Sequence, residues 1–132
     1  MTLIAGTPIR RASLSSGLVP LQFLDAATVQ VDILVNADGT ISARRGASTV
    51  LGTSDSQFIF EDTNHYIEAT VTIHDTAGAV DIHVDGMTAL SLTNQNTRQS
   101  ANATVDAVRF GCSVDGDDIY LAVPARSLRR TS

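Results

Sequence analysis

The segment from residue 65 to residue 92 constrains the fold of this chain more than any other. It reads HYIEATVTIHDTAGAVDIHVDGMTALSL, and apolar and polar residues alternate along it in three short runs. Alternation with a period of two is typical of a strand that buries one face and exposes the other. Residues 75–78 and 85–86 separate the runs and are rich in Asp and Gly, which hairpin turns favour. The segment therefore predicts three antiparallel strands.

The same alternation recurs elsewhere in the chain. Residues 29–35 alternate, residues 36–39 (NADG) form a turn signal, and residues 40–45 run back, which predicts a β-hairpin. Weaker strands are predicted at 21–25, 49–51, 57–60, 104–112 and 119–123. The residues expected to be buried are Val31, Ile33, Val35, Ile67, Val71, Ile73, Val80, Ile82, Val84, Val108, Phe110, Leu121 and Val123. Because helical periodicity is missing, we predict an all-β protein, an antiparallel β-sandwich.

The chain length fits one domain. A chain of 132 residues can build a single hydrophobic core. Residues 1–18 show no clear period, since glycine and proline interrupt them, and we predict an extended arm that either adds an edge strand to the sheet or reaches a neighbouring chain. The sandwich is expected to occupy residues 19–125, and residues 126–132 are expected to form a basic tail.

The charges are unevenly placed along the chain. All nine basic residues are Arg, and all fourteen acidic residues lie between Asp25 and Asp118. Basic, partly apolar ends on an acidic body favour docking of the ends on a neighbouring subunit. The predicted assembly residues are Leu3, Ile4, Ile9, Arg10, Arg11, Arg126, Arg129 and Arg130. The alternative is two disordered tails whose charges only aid solubility.

The same charge pattern argues against two classes of partner. An acidic body would repel phosphates, so we expect no nucleic acid partner. No stretch approaches the 18 apolar residues of a membrane-spanning helix, so we expect no membrane partner.

Three segments together resemble a known family of β-sandwiches. Residues 31–52, 64–92 and 106–121 are similar to the C-terminal part of a concanavalin A-like, or laminin G-like, jelly roll, in the form found in tailed-phage virion proteins. The resemblance implies a jelly roll that is shortened at its N-terminus. It also implies that neighbouring chains could cover an open sheet edge, because exposed edges favour association.

No group of residues predicts catalysis or a firm metal site. Glu61 and Glu68 are the only glutamates, and they do not form the E-x-D-x-x-E pattern of jelly-roll glycosidases. Asp115, Asp117 and Asp118 are a partial set of calcium ligands, and an Asp-rich hairpin turn is the alternative. A second weak metal candidate joins His74 and His83, with Asp81 or Asp85 as a third ligand. We therefore expect no enzyme activity and no cofactor.

A further candidate site is a glycan-binding surface. Sugar sites combine exposed aromatic rings with polar side chains. The candidate residues here are Tyr66, Tyr120, Asn94, Asn96 and Arg98.

Two functions follow from these expectations. The first is a virion structural protein, a capsid decoration or tail-fibre component, which assembles with itself and with other virion proteins. The second is a lectin-like module that binds carbohydrate for host attachment.

Overall fold

The computed structural model describes residues 1–11, 14 and 17–113, together with the backbone of residues 128–131. Within these residues the chain forms ten β-strands and no helix. These described residues therefore contain no helix that could cross a membrane. The prediction of an all-β protein is confirmed.

The bounds of the ten strands are as follows. In chain order they are β1 (Thr2–Arg10), β2 (Leu18–Asp25), β3 (Thr28–Val35), β4 (Ile41–Arg45), β5 (Thr49–Thr53), β6 (Asn64–Thr72), β7 (Gly78–Val84), β8 (Met87–Gln95), β9 (Ala107–Ser113) and β10 (Leu128–Thr131).

The strands form two five-stranded antiparallel sheets. Sheet A has the order β10-β1-β6-β7-β8, and sheet B has the order β5-β4-β3-β2-β9. The inward side chains of both sheets form one core, as expected for a jelly-roll sandwich. The predicted antiparallel β-sandwich is therefore confirmed.

The alternation of apolar residues identified the centre of this core. Nine of the predicted core residues are at most 1% exposed: Val31, Ile33, Val35, Ile67, Val71, Ile73, Val80, Ile82 and Val84. Val108 and Phe110 pack against the core and are only partly buried. Leu121 and Val123 lie outside the described residues.

The N-terminal arm predicted for residues 1–18 is largely a strand of the sandwich. β1 pairs with β6 along its whole length, and Leu3 and Ile9 are only 4% and 2% exposed in the core. Arg11 is also buried. These side chains cannot pack on a neighbour, because they are inside their own domain. Ile4 and Arg10, on the opposite face of β1, are half-buried.

Proline at position 8 concealed this strand in the sequence. Proline lacks an N–H group and is tolerated where a strand lacks a partner on one side. Pro8 pairs with Tyr66 of β6, whereas β10 pairs only with Thr2 to Ala5 of β1. Within the described residues, Pro8 therefore lies beyond the doubly paired part of the strand.

The basic tail predicted for residues 126–132 also differs. Leu128–Thr131 is strand β10, in which Arg129 and Arg130 lie opposite Ile4 and Leu3 of β1. Arg126 lies outside the described residues. The sandwich therefore extends beyond the predicted limits of 19–125 at both ends. Residues 57–60 are not the predicted strand but part of the irregular connection between β5 and β6.

Candidate functional site

The two outer faces of the sandwich both carry polar side chains, and those of sheet B bond to one another. Arg44 donates two hydrogen bonds to the Asp32 carboxylate, at 2.8 and 2.7 Å. Gln22 donates to Asp32 at 3.4 Å and accepts from Arg109 at 2.9 Å. We call these four residues the sheet B row. Asp32 is fully buried and Gln22 is 8% exposed, so the row stabilises the sheet and offers little to a ligand.

The outer face of sheet A carries a different polar group. Tyr66 and Glu68 of β6 and Asp81 and His83 of β7 alternate with buried residues of their strands, so they point away from the core. We call these four residues the Tyr66 face. Glu68 lies directly opposite His83. Asp81 is therefore diagonal to Glu68, with the two Cα atoms about 7–8 Å apart.

The ring of Tyr66 lies across the sheet on a glycine. A Cβ atom at Gly6 of β1 would lie 2.8 Å from Cζ and 2.9 Å from Cε2 of the Tyr66 ring, and closer still to its hydroxyl. The hydroxyl end of the ring thus occupies the space above Gly6, which only glycine leaves open. The residue remains 37% exposed. The hydroxyl end of the side chain therefore packs on Gly6, while more than a third of the residue is accessible to solvent.

The polar groups beside this ring have few partners. Within the described residues, no group forms a hydrogen bond to the Glu68 carboxylate or to the Tyr66 hydroxyl. The Asp81 carboxylate is 3.0 Å from Nε2 of His83, and the Asp81 side chain is 44% exposed. A half-buried carboxylate without a protein partner can accept hydrogen bonds from a ligand.

The turn next to Tyr66 holds the backbone of this residue in place. Asp85 and Gly86 have φ angles of 53° and 82°, as a tight hairpin turn requires, and the predicted turn is found here. The Asp85 carboxylate accepts hydrogen bonds from the Tyr66 N–H at 2.8 Å and from Nδ1 of His65 at 2.6 Å. Nε2 of His65 accepts the Phe60 N–H at 3.1 Å, so the ring proton belongs on Nδ1.

The environment of Asp85 also changes its acidity. Burial raises the pKa of the Asp85 carboxyl, but the hydrogen bonds from His65 and from the Tyr66 N–H lower it and outweigh burial. The pKa of Asp85 therefore lies below its ordinary value, and the carboxylate stays ionised as an acceptor for Tyr66.

The predicted glycan-binding residues do not form one surface. Asn94 and Asn96 lie at and after the end of β8, next to the β6–β7 turn, and Arg98 lies 3.8 Å from Asp75 of that turn. The β6–β7 turn follows Thr72, which is six residues and about 20 Å along β6 from Tyr66. Tyr120 lies outside the described residues. Polarity in the sequence therefore grouped residues that the sheet register separates.

The metal candidate that joins His74 and His83 is not assembled either. His83 lies opposite Glu68 of β6. Glu68 precedes His74 by six residues, so His83 and His74 are separated by about 20 Å along the sheet. Nδ1 of His74 instead accepts the N–H groups of Thr76 and Ala77 at 3.0 and 2.9 Å, which shapes the turn. No group of three metal-ligating side chains occurs in the part of the chain that the structure describes. Asp115, Asp117 and Asp118 lie outside it.

Sequence reasoning missed the side chain that orders the polar loop after β8. Gln30 is fully buried, accepts the N–H groups of Gln99 and Ser100 at 2.6 and 2.9 Å, and donates to the carbonyl of Asn102 at 2.8 Å. The β2–β3 register shifts beside Gln30, because Phe23 pairs with Val31 but Leu24 pairs with Val29. A bulge of this kind re-aims a side chain, and the sequence pattern does not reveal it.

Comparison with known proteins defines the fold but not a family. No family model matches the sequence, and no curated protein matches it. Among solved structures, the endo-β-1,4-glucuronan lyase of the fungus Trichoderma reesei matches with a TM-score of 0.60 at 14% identity, over 86% of this chain and 57% of the lyase. A variant of an alginate lyase in complex with an alginate trisaccharide matches with a TM-score of 0.57 at 12% identity, over 89% of this chain and 62% of the lyase.

A third similar structure is closer to this chain in length. A double mutant of congerin II matches with a TM-score of 0.58 at 9% identity, over 96% of this chain and 89% of congerin II. These identities establish a shared jelly-roll sandwich and no more. The chain spans less than two thirds of the two lyases. The predicted resemblance is thus confirmed at the level of the fold, while its phage-virion setting stays a prediction.

Proposed function

We propose that this chain is a glycan-binding, lectin-like module and that the Tyr66 face is its binding surface. The observation that carries the proposal is the Tyr66 side chain, which packs its hydroxyl end on Gly6 and stays 37% exposed, beside the Glu68 carboxylate, which has no partner among the described residues. The apolar C–H face of a sugar ring packs on such an aromatic surface, while its hydroxyl groups need hydrogen-bond acceptors.

The choice of sheet A follows from the difference between the two sheets. The polar groups of the sheet B row are buried and bonded to one another. Displacing them would leave the buried Asp32 carboxylate without a partner, which is costly. The Tyr66 face has acceptors available without such a cost. The names of the two similar lyases, which act on glucuronan and alginate, support a glycan as the ligand class.

The proposed function is binding without chemistry. A general acid in glycan cleavage needs a raised pKa, which enclosure in an apolar pocket provides. Asp81 and His83 are 44% and 34% exposed on an open sheet face. The face can therefore present acceptors to a sugar but does not enclose a reacting bond. Release of new reducing ends from a bound glycan would contradict this assignment.

A glycan array followed by calorimetry tests the proposal. We expect the wild-type chain to bind at least one glycan and Tyr66→Ala to weaken that binding at least about tenfold, which corresponds to about 1.4 kcal/mol. The control is Val50→Ala, since Val50 is a large apolar residue that is 55% exposed on β5 of sheet B. Absence of any glycan ligand, or an equal loss in Val50→Ala, would contradict the proposal.

We further propose a virion as the setting for this binding, with host attachment as its purpose. The support is the resemblance of residues 31–52, 64–92 and 106–121 to phage virion jelly rolls. Assembly with itself or with other virion proteins would use surfaces other than Leu3, Ile9 and Arg11, which the domain itself buries. Mass spectrometry of purified particles tests the setting, and light scattering of the full chain tests self-association. Particles that lack the chain would contradict the virion proposal.

A further inference from the structure

We infer that the Tyr66 face takes a glycan that carries protonated amines, such as an oligomer of amino sugars without N-acetyl groups. The inference rests on the proposed function and names the ligand class of the same site. It follows from the chemistry of the four side chains and from the charges around them.

Two of the four side chains of the face are carboxylates, which accept hydrogen bonds. Glu68 presents a carboxylate that is half-buried and has no partner among the described residues. Asp81 presents a second carboxylate, of which one oxygen lies near Nε2 of His83. Two carboxylates about 7–8 Å apart between Cα atoms can accept charge-assisted hydrogen bonds from an ammonium group.

Tyr66 adds a second attraction for a cation. An ammonium group over the accessible side of an aromatic ring is attracted by the negative face of the ring. Glu68 follows Tyr66 by two residues on the same side of β6. A sugar that packs on the Tyr66 ring would thus bring an amine within reach of both the ring and the Glu68 carboxylate. An N-acetyl group removes the positive charge and with it both attractions.

Among the side chains that the structure describes, no arginine belongs to the Tyr66 face, and its imidazole, His83, lies 3.0 Å from the Asp81 carboxylate. Arg10 lies opposite Asn64, at one end of the face, and its guanidinium is 3.5 Å from the Asp62 carboxylate. The backbone of Arg129 lies in β10, which is two strands from β6, or about 10 Å. The chain has a formal net charge of −5. A polyuronate such as alginate would therefore be repelled from the Tyr66 face.

The test compares three oligosaccharides of equal length and linkage by calorimetry on the full chain at about pH 6. The first oligosaccharide carries free amines, the second carries N-acetyl groups, and the third carries carboxylates. We expect the amine form to bind at least about tenfold more tightly than the N-acetyl form, and the uronate form not to bind.

Two variants test whether the preference for amines depends on the carboxylates of Glu68 and Asp81. Glu68→Gln and Asp81→Asn should each weaken amine binding about fivefold or more and should leave binding of the N-acetyl form within about twofold. The matched control is Asp55→Asn, which removes the same charge from an exposed loop position away from sheet A. A general effect of net charge would weaken binding equally in the control.

The outcomes separate this inference from the proposed function. Tighter binding of the amine form that depends on Glu68 supports the inference. Equal or tighter binding of the N-acetyl form, or preference for the uronate, overturns it while glycan binding still stands. Failure of all three oligosaccharides and of the glycan array overturns the proposed function itself, and the inference with it.

Discussion

The outer faces of the two sheets each carry a group of four polar side chains, but the two groups differ in their hydrogen bonding. In the sheet B row, Arg44 lies opposite Asp32, and Gln22 lies between Asp32 and Arg109. Every side chain of this row finds a partner in the next strand. On the Tyr66 face, Glu68 lies opposite His83 but bonds to no described group. Polar residues at outward positions can therefore stabilise a sheet or remain available to a ligand, depending on which strands become neighbours.

The largest expected effect breaks the sheet B row. Asp32→Ala should lower the free energy of unfolding by about 3 kcal/mol, because it leaves the mostly buried Arg44 without its carboxylate partner. Glu68→Ala, the matched change on sheet A, should stay within about 0.5 kcal/mol of wild type, since it removes no bond. Urea unfolding monitored by circular dichroism measures both. Equal losses in the two variants would remove the distinction between the faces.

A smaller effect is expected from the glycine under Tyr66. Gly6→Ala places a Cβ where the Tyr66 ring now lies, so the ring must move away from the sheet. We expect a loss of glycan affinity of about tenfold, or about 1.4 kcal/mol, with a change in unfolding free energy below about 1 kcal/mol. Calorimetry and urea unfolding on the same samples provide the two values.

A double mutant sharpens this prediction. In a Tyr66→Ala background, Gly6→Ala should cause no further loss of affinity, because the ring through which it acts is already absent. Additive losses would show that Gly6 affects binding by another route.

The smallest expected effect concerns the acidic turn residue that holds Tyr66. Because the pKa of Asp85 is lowered in the folded chain, its contribution to stability is full above its ordinary pKa of about 3.8 and is lost as the pH falls through the lower, folded pKa. Asp85→Asn should therefore be less stable than wild type at pH 6, by less than about 1 kcal/mol at this half-exposed site.

The pH dependence of the stability difference between Asp85→Asn and wild type tests the direction of the pKa shift. The gap between Asp85→Asn and wild type should narrow as the pH falls from about 5 to about 3. Thermal unfolding at several pH values measures it. A gap that widens toward acid pH would contradict the assigned direction of the pKa shift.

Local sequence patterns predicted the parts of the fold that depend on alternation alone. The strands around Ile33, Ile67 and Ile82 were found because their buried and exposed residues alternate without interruption. For residues 1–18 an edge strand was only one of two alternatives, because Gly6 and Pro8 interrupt the pattern, and a strand paired on both sides was not predicted. Gly6 is explained only by the Tyr66 ring that lies on it, and this residue is sixty positions away in the chain.

The candidate site was predicted less well for a related reason. Tyr66 was correctly expected to be exposed, at 37%. Its proposed companions, such as Asn96 and Arg98, were chosen for their polarity, and they lie at the other end of the sheet. Glu68 and Asp81 become its neighbours through the register of β6 and β7. Register depends on contacts between strands, which a single sequence does not specify.

The most direct test of the central claim is a titration of isotope-labelled chain with its best glycan ligand, followed by nuclear magnetic resonance. Backbone and side-chain signals report which face the sugar contacts. The account predicts that the largest shifts occur at Gly6, Tyr66, Glu68 and His83, with little change at Gln22, Asp32 and Arg44. Shifts centred on the sheet B row, or on Asn94, Asn96 and Arg98, would contradict it.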